Sequence, residues 1–489
     1  MITSIVIFSI LIILLTVYLS LESVRKPKNY PPGPKWLPFF GCNFTMKKFS
    51  KEYGSQWKAL SELRKLYSTD VLGLKLGKEL VVVFFGEENI RRMFLDKEFE
   101  GRPDTFFARL RCLGTRSGIT FTDGQVWKTQ RAFTVKNLRN VGFVKTLMEK
   151  EIQTETCNFI KCITEKDGHS IHLRNIIAKA VLNVLWKYVA GENIKEEGLE
   201  HMLDLFNSRS KAFVMAGGWL NLMPWCRYLF PDWTGYNIIK NLNKELSYLI
   251  EEIIQKHKSN LIEGKDFIYS YLDEIDASED FTEEQLKVIC MDLIIAGSQT
   301  TSNALLFAFL AALKHPDMQD KVYDEIDRVI GDRLPCWSDN YSLIYTSAFL
   351  LEVQRYFTIA PLVGPRRVLF DTYVDGYFIP KETTVMSSIG DLHMDPAIWD
   401  QPNEFNPERF IDDTGALKNS EHVYTFGLGR RRCPGDSLGK SFLFIAFVGV
   451  IQKFKVVCAN GVLPSDEPII GLLASPKPFQ TEFILRKKA

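Results

Sequence analysis

The sequence predicts a mostly α-helical domain with small β-sheets at one side, carried behind an N-terminal transmembrane helix. Three observations point there: an uncharged opening segment, helical periodicity over most of the chain, and a few short alternating runs. The opening segment, MITSIVIFSILIILLTVYLSL, spans residues 1–21 and meets the ~20 apolar residues that a bilayer core needs in helix. ESVRKPK follows, and Arg25, Lys26 and Lys28 flank only its C-terminal end, which leaves the rest of the chain in the cytosol. A cleaved signal peptide is the alternative. The missing n-region charge, the length of the span and the lack of an A-x-A-like site argue against it.

In NYPPGPKW, Pro31, Pro32 and Pro34 force extended backbone. Residues 22–34 therefore read as a basic, Pro-rich strap and 35–489 as one large catalytic body, with no linker to divide it. The runs DVLGLKLG and ELVVVFFG read as strands. VLFDTYVDGYFIPKETTVMSS reads as a hairpin turning at Asp375-Gly376 in type I′ geometry. Helical spacing marks KALSELRKLY, VKTLMEKEIQTETCNFIKCI, NLNKELSYLIEEIIQKHKSNLI and MQDKVYDEIDRVIGD.

The longest helix candidate is TEEQLKVICMDLIIAGSQTTSNALLFAFLAALKHP. Thr282 with Gln285 has the form of a capping box, and Pro316 closes the far end. Its apolar character puts it across the middle of the domain. At its centre AGSQTT sets polar residues where helix propensity is poor, and buried polar groups need a partner or a use.

Composition narrows the classes. The chain has 489 residues, 46% hydrophobic and 24% charged, with formal net charge +1, which argues against a nucleic-acid partner. Nine cysteines stand as singletons, an odd number that fits a reducing compartment better than a disulfide scaffold. Cys157 and Cys162 lack the second pair or histidines of a zinc site.

Cys433 stands apart. FGLGRRRCPG, residues 426–435, holds it among three arginines and three glycines. Cations lower a thiol's pKa, and glycines let backbone approach a bulky group. The setting suits a thiolate that is a ligand or a nucleophile, the alternative being a buried apolar cysteine.

With this loop the sequence resembles the cytochrome P-450 family, in its microsomal, membrane-anchored form. Phe426, Gly429, Arg431, Cys433 and Gly435 match the family's haem-ligand loop. LLEVQR supplies its E-x-x-R pair as Glu352 and Arg355, FNPERF its later arginine as Arg409, and WKTQR its W-x-x-x-R as Trp127 and Arg131. AGSQTT, EFEGRPD and the PPGP strap also fit, in family order over the whole chain. The chain also resembles arthropod microsomal enzymes related to methyl farnesoate epoxidase.

The resemblance implies a haem-thiolate monooxygenase that inserts one oxygen atom from O2 into a lipophilic small molecule, by hydroxylation or epoxidation. It implies haem held by Cys433, with Arg431, Arg131, Trp127 and Arg366 (rather than Arg367) on its propionates. Glu352, Arg355 and Arg409 would form a structural charge network. Thr300 would relay protons to oxygen, with Ala296 and Gly297 clearing space. Gln299 departs from the family's usual acid there; it can orient water but cannot ionise.

Further implications are a substrate pocket from Phe106, Phe107, Leu110, Ile295, Ala360, Leu362, Val363, Leu472 and Leu473. Residues 212–230, with Trp219, Trp225 and Tyr228, would dip into the membrane interface. An NADPH-dependent flavoprotein reductase would dock on Lys128, Lys136, Arg139, Arg430, Arg432 and Lys440. The enzyme would sit in the endoplasmic reticulum membrane with its body on the cytosolic face. Two other readings are a reductase-independent enzyme that rearranges peroxides and a non-catalytic membrane haem sensor. Thr300 argues against the first, and AGSQTT would be purposeless in the second.

Overall fold

The computed structural model describes residues 2–140, 146–165, 173–194, 199–212, 218–259, 266–275 and 277–486. Helices dominate it. The first, Ile2–Val24, is apolar and exposed from Ile7 onward, and it runs three residues past the predicted span. A second helix apolar enough to cross a membrane, Glu283–Lys314, is mostly buried in the body and is its central strut. Thr282 caps that long helix by accepting the Gln285 N–H at 3.2 Å.

Four strands make the main sheet: β1 (Val71–Leu76), β2 (Glu79–Phe84), β3 (Leu362–Arg367) and, beyond the hairpin, β6 (Thr384–Ser388). Their order is β1-β2-β6-β3, parallel only between β2 and β6. The hairpin is β4 (Thr372–Val374) and β5 (Tyr377–Ile379). Asp375 and Gly376 both take positive φ, 49° and 78°, as a type I′ turn requires.

The Pro-rich segment lies flat on the body. Gly73 N donates to Pro32 O at 2.8 Å, and a Cβ on Gly33 would stand 1.9 Å from Gly73 O. Only glycine allows backbone this close to backbone. Tyr30 reaches under the sheet, its hydroxyl 3.0 Å from both Leu74 O and Val81 O. The body therefore begins near residue 30, earlier than the Pro-rich run suggests.

The largest core gathers on the long helix, the helix Leu173–Ala190 and the helix Asp436–Lys453, which carries SFLFIAFVGV. Apolar on every side, the last can only exist enclosed. Its N-terminal end is where the cysteine loop arrives.

Candidate functional site

The loop 426–435 folds back on itself, with Cys433 N donating to Phe426 O at 2.9 Å. Gly429 has φ +69°, and a Cβ there would meet Phe94 O at 2.5 Å, so two constraints demand glycine. Gly435 lies against the Cys433 sulfur, which would stand 3.8 Å from a Cβ there, and its N–H favours the thiolate. Burial pushes the thiol's pKa up, outweighing that N–H and the nearby Arg131 and Arg432. The local charge count would lower the thiol's pKa, but burial outweighs it.

A cavity opens over the sulfur, lined by Cys433, Phe426, Gly435, Arg431, Arg131 and Arg102 on one side. Across it stand Leu293, Ala296, Gly297, Thr300 and Thr301 of the long helix, a run spaced at helical period along one face. Ala296 is exposed to this space although it sits mid-helix. The Thr300 hydroxyl donates to Ala296 O at 2.9 Å. What Gly297 makes room for is Leu185, whose Cδ2 lies 2.7 Å from where a Cβ would be. Gln299 leans away and donates to Asn207 Oδ1 at 3.2 Å.

Three guanidinium groups, those of Arg102, Arg131 and Arg431, line one rim, and Arg366 lies buried near enough to act on Arg431. Arg366 is 3% exposed and reaches Met93 O and Phe94 O. Arg431 stacks on Trp127 at 3.6 Å and donates to Glu100 O and Thr122 O. Arg131 bonds Arg432 O, and Arg102 bonds Pro365 O while its Nε stays buried and unpaired.

Burial and mutual repulsion push Arg431 down to about 8, Arg366 to about 9 and Arg102 to about 10. The Trp127 Nε1–H is also buried without a partner. Arg367, by contrast, already has Asp123 at 2.7 Å and Glu382 at 2.6 Å. Orphaned donors and unanswered cations around one space fit a multiply anionic group such as a haem with two propionates.

Behind the loop lies a second set of charges. Glu352 and Arg355, both 0% exposed, form a two-pronged pair at 2.7 and 2.8 Å. Arg409 Nε joins Glu352 at 3.1 Å, and Asn406 N donates to the same oxygen at 2.8 Å. Arg355 also holds His393 O at 2.7 Å and Pro402 O at 2.9 Å. The His393 ring takes the Tyr424 N–H on Nε2 and shares a hydrogen bond with Thr358 Oγ1 on Nδ1. Burial, with Arg355 nearby, pushes His393 down to about 3. Tyr424 stands two residues before Phe426, so the network ends on the cysteine loop.

The nine residues expected in the substrate pocket do not line this cavity. Phe107 packs with Leu220 and Ile239, with Phe106 and Leu110 against them. Ile295 turns into the main core. Leu362 lies under the sheet in a cluster with Met386, and Val363 packs on the sheet's other cluster. Ala360 and Leu472 are partly buried elsewhere, and Leu473 lines a neighbouring polar cavity with Asn207, Gln299 and Asn303. Leu293, Ile119, Thr120, Leu185, Asp292 and Arg102 were missed. Helical period from Ala296 and Thr300 points to Leu293; no local signal marks Leu185 or Arg102.

All six basic residues expected at a docking face are exposed. Trp225, Tyr228, Leu229, Phe230 and Trp233 form an exposed apolar group. Leu222 touches Gly77, whose N–H donates to Phe40 O, so this group shares a side with exposed Leu37, Phe39 and Phe44. Residues 213–217 and the Trp219 side chain lie outside the described residues.

The family model described as Cytochrome P450 matches residues 31–483. A Drosophila melanogaster protein named Probable cytochrome P450 305a1 is 40% identical, covering 96% of this chain and 97% of its own. Farnesoate epoxidase of Bombyx mori is 35% identical, covering 94% of each. Human cytochrome P450 2J2 is 33% identical over 92% of this chain and 90% of its own.

Proposed function

The chain belongs to the cytochrome P450 family, and from that premise we propose which residues run its chemistry and on what. It is a haem-thiolate monooxygenase of the endoplasmic reticulum membrane, dependent on O2 and NADPH and acting on a lipophilic substrate. Its electrons come from an NADPH-dependent reductase. The single observation that carries the assignment of roles is Cys433 facing Ala296 and Thr300 across one cavity.

Bound haem supplies oxygen activation at iron, favoured by the electron density a cysteine thiolate donates. In this reading Cys433 would hold the haem iron through its sulfur, and the Gly435 N–H would spread part of the sulfur's negative charge. Arg431, Arg366 and Arg102, with the Trp127 indole N–H, hold the propionates. Arg131 steadies the loop through Arg432 O and adds positive charge. Phe426 and Gly429 shape the loop, and the Glu352–Arg355–Arg409 network fixes it from behind.

The Thr300 hydroxyl would turn from Ala296 O into the cavity and relay a proton there, taking one from water as it gives its own, with Thr301 beside it. Gln299, tied to Asn207, opens on the adjoining polar cavity and orients water without ionising. The basic set Lys128, Lys136, Arg139, Arg430, Arg432 and Lys440 receives the reductase on the cysteine side. The exposed aromatic group rests on the bilayer. The Bombyx relative's name makes a farnesoate-like terpenoid the first substrate to try.

Cys433→Ser tests the core of this. The variant should show no thiolate-type absorption in its reduced, carbon monoxide-bound spectrum and no turnover; an unchanged spectrum refutes the ligand. Thr300→Ala should keep the spectrum and divert reducing equivalents to peroxide, lowering product formation by ~10²-fold or more. Unchanged product per NADPH consumed would remove Thr300 from the relay.

A further inference from the structure

Two lysines meet at one indole where the anchor helix joins the body. Lys26, two residues beyond Val24, and Lys75 of β1 each place Nζ 5.2 Å from the centre of the Trp36 ring. The two nitrogens therefore stand no further apart than twice that distance. Trp36 is 7% exposed, and its own Nε1–H is buried without a partner among the described residues. An ammonium has three N–H donors. Lys75 spends one on Ser23 O at 2.5 Å and Lys26 one on Gly33 O at 3.4 Å, so each keeps two that no described residue accepts.

No carboxylate answers either charge. Burial pushes the pKa of both lysines down, and no carboxylate acts on them in the other direction. Glu22 is taken by Arg25 at 3.4 Å, and burial alone pushes Glu79, on the neighbouring strand, up to about 7. The stretch RKPKNYPPGPKW, residues 25–36, adds Arg25, Lys28 and Lys35 and holds no acid. A ring face attracts cations but supplies no counter-charge.

The surroundings say where an anion comes from. Ser23 belongs to the last turn of the apolar, exposed helix Ile2–Val24. Phe39 N donates to Ser23 Oγ at 3.1 Å, and Leu37 and Phe39 are themselves exposed. The cations thus lie where the anchor leaves the hydrocarbon, beside apolar side chains, at the level of the lipid headgroups.

We propose that Lys26 and Lys75 bind the phosphate of an anionic membrane lipid, with Leu37 and Phe39 against the start of its acyl chains. The site depends on the anchor and on nothing in the haem chemistry. Phosphatidylcholine carries its own quaternary ammonium beside the phosphate, which two lysines repel. Phosphatidic acid presents its phosphate bare, and charge-assisted hydrogen bonds to it are the strong kind. Once bound, the lipid ties the end of the anchor to β1.

The test uses the full-length holoenzyme in vesicles of equal phosphatidylcholine and phosphatidic acid. Mass spectrometry of the protein released intact reads which lipid it carries away. The wild type should retain phosphatidic acid about tenfold or more over phosphatidylcholine, since each lysine near the surface contributes about fivefold. Lys26→Gln with Lys75→Gln should bring the ratio close to one. Lys47→Gln with Lys51→Gln removes the same charge from exposed positions on the helix Asn43–Glu52 and should leave the ratio unchanged. Equal retention of both lipids by the wild type overturns the site, with no variant needed. An equal fall in both double variants overturns it in favour of diffuse surface charge. Displacement of the lipid by glycerol 3-phosphate in large excess overturns it in favour of a soluble phosphate ester.

Discussion

Two clusters of buried charge stand on either side of the cysteine loop. Behind it, Glu352, Arg355 and Arg409 answer one another, and carbonyls of His393, Pro402 and Glu404 take the remaining donors. On the cavity side, Arg102 and Arg431, with Arg366 buried close to them, repel one another, and the Trp127 N–H has no partner among the described residues. A folded chain tolerates buried charge at either place for different reasons. The first set is complete in itself and serves to hold a shape. The second is completed from outside, and the strain of keeping it unpaired becomes affinity when an anionic group arrives.

That contrast can be broken by single substitutions. Arg355→Ala leaves Glu352 buried without its main partner and should cost about 3–5 kcal/mol. It should yield protein that melts early and carries no haem, seen in Tm and in the carbon monoxide spectrum. Arg431→Gln removes an uncompensated cation instead. Haem should leave about tenfold or more faster, as expected for a lost charge-assisted bond, while the haem-free protein's Tm does not fall. A haem-free Tm that drops as far as in Arg355→Ala would erase the distinction.

The smallest effect is a pH slope. His393 is buried as the neutral ring, and its pKa of about 3 lies below the ~6.5 of an unfolded histidine. Between those values the unfolded chain binds the extra proton. His393 should therefore cost no stability above about pH 6.5 and should destabilise the fold progressively as pH falls toward 3. The slope is about 1.4 kcal/mol per pH unit. His393→Gln should flatten the acid limb of Tm against pH; a limb of unchanged steepness would mean another group carries it.

What the sequence made legible was local. Cys433 with its glycines, the Thr282 cap and the Asp375-Gly376 turn each rest on neighbours a few positions away, and those neighbours are written side by side. Arg366 was separable from Arg367 only as a preference, because which of two adjacent strand residues points inward depends on the register of β3 with β6. The thiol's pKa was misjudged from charge alone because burial is set by the whole fold. The cavity wall escaped for the same reason: Leu185 meets Gly297 across more than a hundred residues. Leu293 was within reach, since it lies one helical turn before Ala296.

The contact of Gly33 on Gly73 has a mechanical consequence. A tether that touched the body only at its end would let the enzyme swing freely above the bilayer. Here the segment is pressed against β1 with no room for even a methyl group, and Tyr30 pins it beneath. The mooring is a rail, so the last turn of the anchor and the first strand move as one piece. The body is thereby held at one angle to its anchor, since Lys75 of that strand also bonds Ser23 O in the anchor's last turn.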